Sequence, residues 1–347
     1  MSFALLGLVF GISGKKIYDW YRNVLSGFTD ADVQEKLHSC DTVDKDLIDK
    51  ETGEVKKILV PILKPENFGE NMAADDKNIG GEGYTVISNK DTGKIAALIT
   101  SVKAGIVSDA LIKNVPAKIL MAVKTVTKDL AENYDWITRN CFMNAMRIAD
   151  KFHVIQLAME ALQAVRIRYR QEVLSKERKK KEKWKEQGNK MKDYPEQNQV
   201  QTFENGETEK TLLARSRYLL FKFNNQWAET QAERAGILFR EFPEIKEAYD
   251  LTCSFRNFYK CKVGPGHRAR ESLEQWYEKT KKTKIEEIKN FRHTVKRHEG
   301  EILNHFEEGH TNAFAESLNN KIQSFVRSNY GIRDRDFFHY RILKHFS

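Results

Sequence analysis

The stretch GEGYTVISNKDTGKIAALIT, residues 81–100, decides the fold because it has the pattern of a β-hairpin. Residues 84–87 are β-branched or aromatic, residues 89–93 have turn composition, and residues 94–100 supply a second apolar arm. Just before the hairpin, the short apolar run ENMAAD ends at Asp75. We therefore expect an antiparallel hairpin beside a buried strand that ends in an acid.

Two later apolar runs also end in an acid. The run MAVKTVTKD alternates β-branched residues and ends at Asp129, and AMRIAD ends at Asp150 after an intervening helix. Strand, hairpin partner, strand, helix, strand, helix, strand is the order of a ribonuclease-H-like α/β sheet, and the chemistry of open α/β sheets gathers at strand ends. The sequence therefore predicts a mixed sheet with Asp75, Asp129 and Asp150 at strand ends.

Beyond the third run the sequence becomes helical. Residues 152–187 read as one long helix, apolar early and basic later, and the basic part is either a solvated surface or a phosphate-contacting face. Residues 188–210 have loop composition, and helical periodicity returns from residue 211 to about residue 306. Aromatic residues at its apolar positions are expected in a helical core: Trp227, Phe239, Phe242, Tyr249, Phe255 and Trp276.

These changes along the chain predict an α/β core that a large all-helical insertion interrupts. The expected regions are an N-terminal helical region at 1–65, the first part of a ribonuclease-H-like catalytic core at 66–155, a helical insertion domain at 156–308 and the C-terminal part of the core at 309–347.

Composition indicates a globular protein with a polyanionic partner. The 347 residues carry a net charge of +9, so nucleic acid is the first candidate and an anionic membrane surface the second. The N-terminal apolar run of about ten residues is too short to span a bilayer, and we expect neither a signal peptide nor a later membrane span. We predict a core helix broken near residues 11–14 and then an amphipathic helix, with a helix-turn-helix as the alternative.

The four cysteines are widely spaced and form no C-x-x-C pair. Reduced thiols in a cytoplasmic protein are therefore expected, and a zinc site is not.

Near the C-terminus, TNAFAESLNNKIQSF at residues 311–325 places Glu316 among small and amide side chains. An isolated glutamate on a helix is ordinarily solvated. If the chain returns to the sheet after the helical insertion, however, this segment would bring Glu316 to the strand ends. Phosphodiester transfer needs two divalent ions, and carboxylates are the ligands that Mg²⁺ prefers. Asp75, Asp129 and Glu316 can form such a metal cradle, with Asp75 bridging both ions.

The same motifs resemble bacterial insertion-sequence transposases of the DDE type, specifically the ISL-three group. The C-terminal segment TNAFAESLNNKIQSFVRSNYGIRDRDFFHYRI carries the resemblance, together with AADDK, VTKDL and ADKFHVIQLAMEALQAVRIRYR. The segments LLARSRYLLFK and EFPEIKEAYDL are similar to the group's helical insertion. The resemblance runs from about Lys15 to the C-terminus.

The resemblance implies that Asp75, Asp129 and Glu316 are the metal-binding triad for two Mg²⁺ ions, which Mn²⁺ is expected to replace. Asp150 and His153, in DKFH, would support the site or the flanking DNA. The rival assignment makes Asp150 the second triad acid and Asp129 a helix cap. Asp129 is preferred because it ends the strand expected beside that of Asp75.

Cations that follow Glu316 are expected to contact DNA phosphates. They are Lys321, Arg327, Arg333 and Arg335.

The implied function is Mg²⁺-dependent DNA cleavage at transposon ends, followed by strand transfer into target DNA. A ribonuclease-H-like nuclease without strand transfer and an inactivated DNA-binding relative are the alternatives. Because no zinc-binding cysteines or long DNA-binding region precede the core, we expect a separately encoded N-terminal DNA-binding protein, with a truncated or decayed copy as the other explanation. A homo-oligomer on DNA, associated with the bacterial nucleoid in the cytoplasm, is also expected.

Overall fold

The computed structural model describes residues 3–37, 39–48, 55–188, 190, 202–261, 267–307, 313–328 and 334–346. At positions 43–48, 55–56, 267, 313–319 and 328 it describes the backbone alone. The chain forms two compact units, one from Met1–Asp150 with His310–Ser347 and the other from Lys151–Gly309. Within the described ranges, every helix is too short or too polar to span a lipid bilayer.

The N-terminal region consists of three short helices and a two-stranded hairpin. The elements are α1 (Phe3–Phe10), α2 (Gly14–Trp20), a π-helical turn (Tyr21–Leu25), α3 (Ala31–Leu37), β1 (Thr42–Ile48) and β2 (Val55–Ile58), with β1 and β2 antiparallel. The expectation that α1 is a core helix is wrong, since Gly7 is its only buried residue and Leu8 is 81% exposed. A Cβ at Gly7 would lie 2.4 Å from the Ile12 carbonyl oxygen, so only a glycine allows α1 to lie this close to the turn that follows it. The large side chains of α1 are on its exposed sides.

The hairpin of β1 and β2 falls in the region expected to be helical. Five of the eleven residues in TVDKDLI and VKKI are charged, and they hide the alternation that marks a strand.

A six-stranded mixed sheet follows, and its presence confirms the predicted α/β class. The strands are β3 (Ile62–Leu63), β4 (Asn71–Ile79), β5 (Glu82–Asn89), β6 (Ile95–Ile99), β7 (Thr125–Lys128) and β8 (Met146–Ala149), in the order β3-β6-β5-β4-β7-β8. β4, β7 and β8 are parallel, whereas β5 is antiparallel to β4 and β6. The helices between the strands are α4 (Ala104–Asn114), α5 (Ala117–Met121) and α6 (Glu132–Cys141).

The predicted hairpin is β5 and β6, but the expected end of β4 at Asp75 is wrong. β4 continues to Ile79 because it pairs with β5 along its whole length, through a turn in which Gly80 and Gly81 have φ of 64° and 90°. Both glycines adopt the left-handed region that other residues disfavour. Asp75 therefore lies in the middle of a strand, with the hairpin extending past it.

In its described residues the second unit is helical, apart from an isolated β-bridge between Thr202 and Thr208. The long predicted helix is α7 (Lys151–Glu186), and it is followed by α8 (Glu209–Arg215), α9 (Glu229–Glu241), α10 (Pro243–Phe258), α11 (His267–Thr280), α12 (Glu286–Arg297) and α13 (Glu299–Glu307). The aromatic residues expected in a core are buried or pack against buried residues; Phe242 and Tyr249, for example, belong to the same core cluster as Leu162. This unit therefore has a hydrophobic core of its own.

The chain returns to the sheet unit with α14 (Ala313–Ser328) and α15 (Arg335–Phe346). One face of the sheet packs against these two helices through Ile322, Phe338 and Ile342. The opposite face packs against α4, α5 and α6. The sheet is consequently covered on both sides, as parallel strands require.

Candidate active site

Three acids occupy one level of the sheet, on three adjacent parallel strands. The register pairs Ala74 of β4 with Lys128 of β7, and Lys128 with Ala149 of β8. The next residues along the three strands are Asp75, Asp129 and Asp150, which we call the acid row. Because neighbouring strands lie about 4.8 Å apart, the sheet brings the three backbone positions close together.

Asp75 lies on the sheet face that packs against α14 and α15. It pairs in register with Val86, which belongs to the same core cluster as Ile322 of α14. One carboxylate oxygen of Asp75 accepts a hydrogen bond from the Lys77 ammonium at 2.6 Å, and the other accepts from the Asp76 backbone N–H at 2.8 Å. The side chains of Asp75 and Lys77 are 18% and 17% exposed. The Asp75 carboxylate is thus already in contact with a positively charged side chain of the protein.

Asp76, the next residue along β4, is a further carboxylate near the acid row. Burial raises the pKa of the Asp76 carboxyl, and the negative charges of Asp75 and Asp129 raise it further. The buried phenol of Tyr134, on α6, has a raised pKa for the same reasons, first burial and then the charge of Asp76. Burial is thus the main cause of both shifts, and the neighbouring carboxylate charges act in the same direction.

Asp129 follows a lysine that is completely buried. The Lys128 side chain has 0% exposure, and its ammonium lies 2.5 Å from a carboxylate oxygen of Asp135 in the first turn of α6. The same ammonium lies 3.4 Å from the Asp129 carbonyl oxygen, and the Asp129 carboxylate accepts from the Leu130 N–H at 2.5 Å. This ion pair ties the end of β7 to α6 on either side of Asp129.

Asp150 has a different cationic neighbour. Lys90 is only 6% exposed, and its ammonium donates to the Thr127 hydroxyl at 2.9 Å. Burial lowers the pKa of Lys90, and the charges of Asp150 and Asp91 act in the opposite direction. A buried lysine therefore lies within the field of the third acid of the row.

The remaining predicted residues are placed as follows. Glu316 lies in α14, and its side chain falls outside the described residues. His153 lies in the first turn of α7, in the helical unit, three residues after Asp150 ends the sheet segment. The structure thus places the helix of Glu316 on the sheet, and assigns His153 to the other unit.

Two of the four cations expected on DNA are exposed on α14, namely Lys321 and Arg327. Arg335 begins α15, and its guanidinium forms an ion pair with Glu82 of β5. Arg333 lies outside the described residues.

The sequence interpretation missed the lysines that accompany the acids. Lys77 stands two residues after Asp75, so the two-residue period of a strand could have placed it on the same face. Lys90 and the Lys128–Asp135 pair carry no such signal. Their positions depend on the strand order and on how α6 packs.

Comparison with known proteins gives a family and two curated relatives. A family model of the ISL3 (ISL-three) group, described as transposase, matches residues 72–342. The relatives are the transposases for insertion sequence element IS1557 from two strains of Mycobacterium tuberculosis, CDC 1551 / Oshkosh and H37Rv. Each is 26% identical over 212 residues, covering 60% of this chain and 45% of the relative. The chain thus matches about half the length of these relatives, and no solved structure matches it.

Proposed function

The chain belongs to the ISL3 group of transposases, and from this premise we propose that it cuts DNA at the ends of an insertion sequence and joins them to target DNA. The acid row carries the proposal, because it places three aspartates, whose carboxylates are ligands that Mg²⁺ prefers, at one level of neighbouring strands. The order and directions of β6-β5-β4-β7-β8 support a ribonuclease-H-like core.

The carboxylates of the acid row are oxygen ligands of the kind that Mg²⁺ prefers. The Lys77 ammonium contacts the Asp75 carboxylate, and burial, followed by the charges of Asp75 and Asp129, raises the pKa of Asp76. Asp75, Asp129 and Glu316 would hold two Mg²⁺ ions, for which Mn²⁺ would substitute. When bound, such ions activate the attacking oxygen and stabilise the leaving oxygen of a phosphodiester.

The protein's own residues would position the acids of the site and neutralise the phosphates of the bound DNA. The Lys128–Asp135 pair fixes the turn that carries Asp129, and Lys77 supplies a positive charge beside Asp75 for a phosphate of the bound strand. Exposed cations on α14, Lys321 and Arg327, would hold the DNA backbone without reading its sequence.

Asp129 is the better second metal ligand, and Asp150 a supporting acid. Lys90 is buried, and its charge interacts with that of Asp150. Asp129 follows directly on the strand paired with that of Asp75. His153 retains its proposed role beside the flanking DNA.

The test is a cleavage and joining assay. Its substrates are end-labelled duplexes carrying the DNA that flanks the coding sequence on each side, with supercoiled plasmid as target and Mg²⁺ or Mn²⁺ as the metal. We expect Asp75→Asn, Asp129→Asn and Glu316→Gln each to abolish cleavage while folding and DNA binding persist. Asp109→Asn, which changes an exposed acid on α4, is the matched control and should remain active.

The outcomes separate the rival assignments. Loss of cleavage in Asp150→Asn but not in Asp129→Asn would reverse the roles of these two acids. Cleavage without joining would make the protein a nuclease. Activity only after adding the product of a neighbouring reading frame would support the proposed DNA-binding partner, and light scattering of the DNA complex would test the proposed homo-oligomer.

A further inference from the structure

The C-terminal third of α7 extends beyond the packed core of the helical unit. Val173 is the last buried residue of this helix, and residues 174–186 continue for about 20 Å at the rise of an α-helix. These thirteen residues include seven Lys or Arg and three Glu. Hydrophobic packing therefore does not explain why the helix continues.

Four lysines of this extension share one side of the helix. Lys176, Lys179, Lys180 and Lys183 have the i, i+3, i+4, i+7 spacing that aligns side chains along a single stripe, and we call them the lysine stripe. All four are exposed. Among the described residues, none of the four forms an ion pair or a side-chain hydrogen bond.

Two of the three glutamates of the extension pair with cations outside the stripe. Glu182 pairs with Arg178 at 2.9 Å, and Glu177 pairs with Lys210 at 3.4 Å. The stripe therefore contains like charges three and four residues apart, and such pairs destabilise a helix. A polyanion bound along the stripe would remove that repulsion.

We propose that the lysine stripe binds the phosphate backbone of duplex DNA outside the catalytic site. A helix face of evenly spaced ammonium groups suits phosphates and carries no means of reading bases. Proteins that bind single strands add exposed aromatic rings for base stacking. The only aromatic residue in the extension, Trp184, is half-buried, and its indole N–H donates to the Lys190 carbonyl at 3.2 Å. The stripe thus fits a duplex.

The inference rests on the proposed function only in taking DNA as the partner. The experiment measures binding of the whole chain to a duplex of unrelated sequence across KCl concentrations, without divalent ions, by fluorescence anisotropy. The stripe variant is Lys179→Gln, Lys180→Gln and Lys183→Gln together. The control variant is Arg178→Gln, Lys181→Gln and Lys185→Gln, which removes the same charge from the same segment on the other side of the helix.

For the stripe variant, the slope of log affinity against log salt should flatten by about 2.7, since each lost phosphate contact accounts for about 0.9. The control should change the slope by less than about one unit. Glutamine resembles lysine in helix propensity, so both variants should keep the circular dichroism and melting temperature of the unmodified chain.

If the slope of log affinity against log salt flattens equally in the two variants, the stripe is not a specific DNA-binding surface. Unchanged slopes in both variants would contradict the proposal as well. Loss of binding to phosphatidylserine vesicles with unchanged duplex binding would assign the stripe to a membrane and overturn the proposal as well. Asp75→Asn separates the two claims. If the Asp75→Asn protein still cleaves DNA, the catalytic proposal alone is refuted. If the unmodified protein cleaves DNA but the stripe variant keeps an unaltered slope, the proposed DNA surface alone is refuted.

Discussion

Breaking the Lys128–Asp135 pair from its two sides should have unequal costs. Asp135→Leu removes the carboxylate from the Lys128 ammonium, whose side chain has 0% exposure. Removing one partner of a buried ion pair costs about 3–5 kcal/mol. Lys128→Met instead leaves Asp135, which is 17% exposed and can gain water, so its cost should fall to about 1–3 kcal/mol, the range for an unsatisfied polar group.

The double variant Lys128→Met/Asp135→Leu should be close to neutral, within about 1 kcal/mol, because apolar residues of similar size often replace a buried ion pair without loss. The assay is urea unfolding followed by hydrogen exchange and mass spectrometry. Peptides that cover β7 and α6 report the sheet unit separately from the helical unit. The coupling energy from the double-mutant cycle should therefore exceed about 2 kcal/mol.

A neighbouring pair supplies the control. Lys124 lies 2.8 Å from Glu70, and the two side chains are 66% and 60% exposed. Lys124→Met and Glu70→Leu should show a coupling energy below about 1 kcal/mol. The reasoning fails if Lys128→Met is the costlier single change, or if the double variant is less stable than either single variant.

Other predictions concern the acids and cations of the site. Lys77→Met should tighten Mg²⁺ binding in calorimetry and slow cleavage, because its ammonium competes for Asp75; weaker Mg²⁺ binding would contradict this. Burial and neighbouring carboxylates raise the pKa of Asp76, so its stabilising protonated form is present below the ordinary value of 3.8 and is lost as pH rises through the raised one. Asp76→Asn should therefore raise the melting temperature at pH 7 and leave it unchanged near about pH 3, and the opposite pattern would refute this assignment. Arg327→Ala should flatten the salt dependence of DNA binding by about 0.9, whereas Arg335→Ala should change it less, because that guanidinium is already paired.

The sheet was largely predictable because its strands have strong local signals. The hairpin at residues 81–100 has the turn composition and β-branched arms that such a structure requires, and β8 and α7 begin and end close to where the apolar patterns do. The end of β4 was not predictable from the run ENMAAD alone, since hydrogen bonds to β5 carry the strand through Asp76 and Lys77. Pairing with β5, and not the local amino-acid composition, therefore determines where β4 ends.

The acids could be chosen from the sequence, but their surroundings could not. Strand ends pointed to Asp129 and Asp150, and the register places both level with Asp75. The approach of Lys90 to Thr127 joins residues that are 37 positions apart. Such a contact follows from strand order, and no local pattern encodes it.

The sheet unit is assembled from two chain segments that the whole helical unit separates, residues 151–309. At ribosomal rates of about 5–20 residues per second, roughly 8–30 s pass between synthesis of the last strand and arrival of the first residue of the closing segment. During that interval the sheet face that later contacts Ile322 and Phe338 has no cover from α14 and α15. The nascent chain therefore emerges with its three aspartates made and Glu316 still to come, so DNA cleavage that requires Glu316, as proposed above, would have to wait until the closing segment is synthesised.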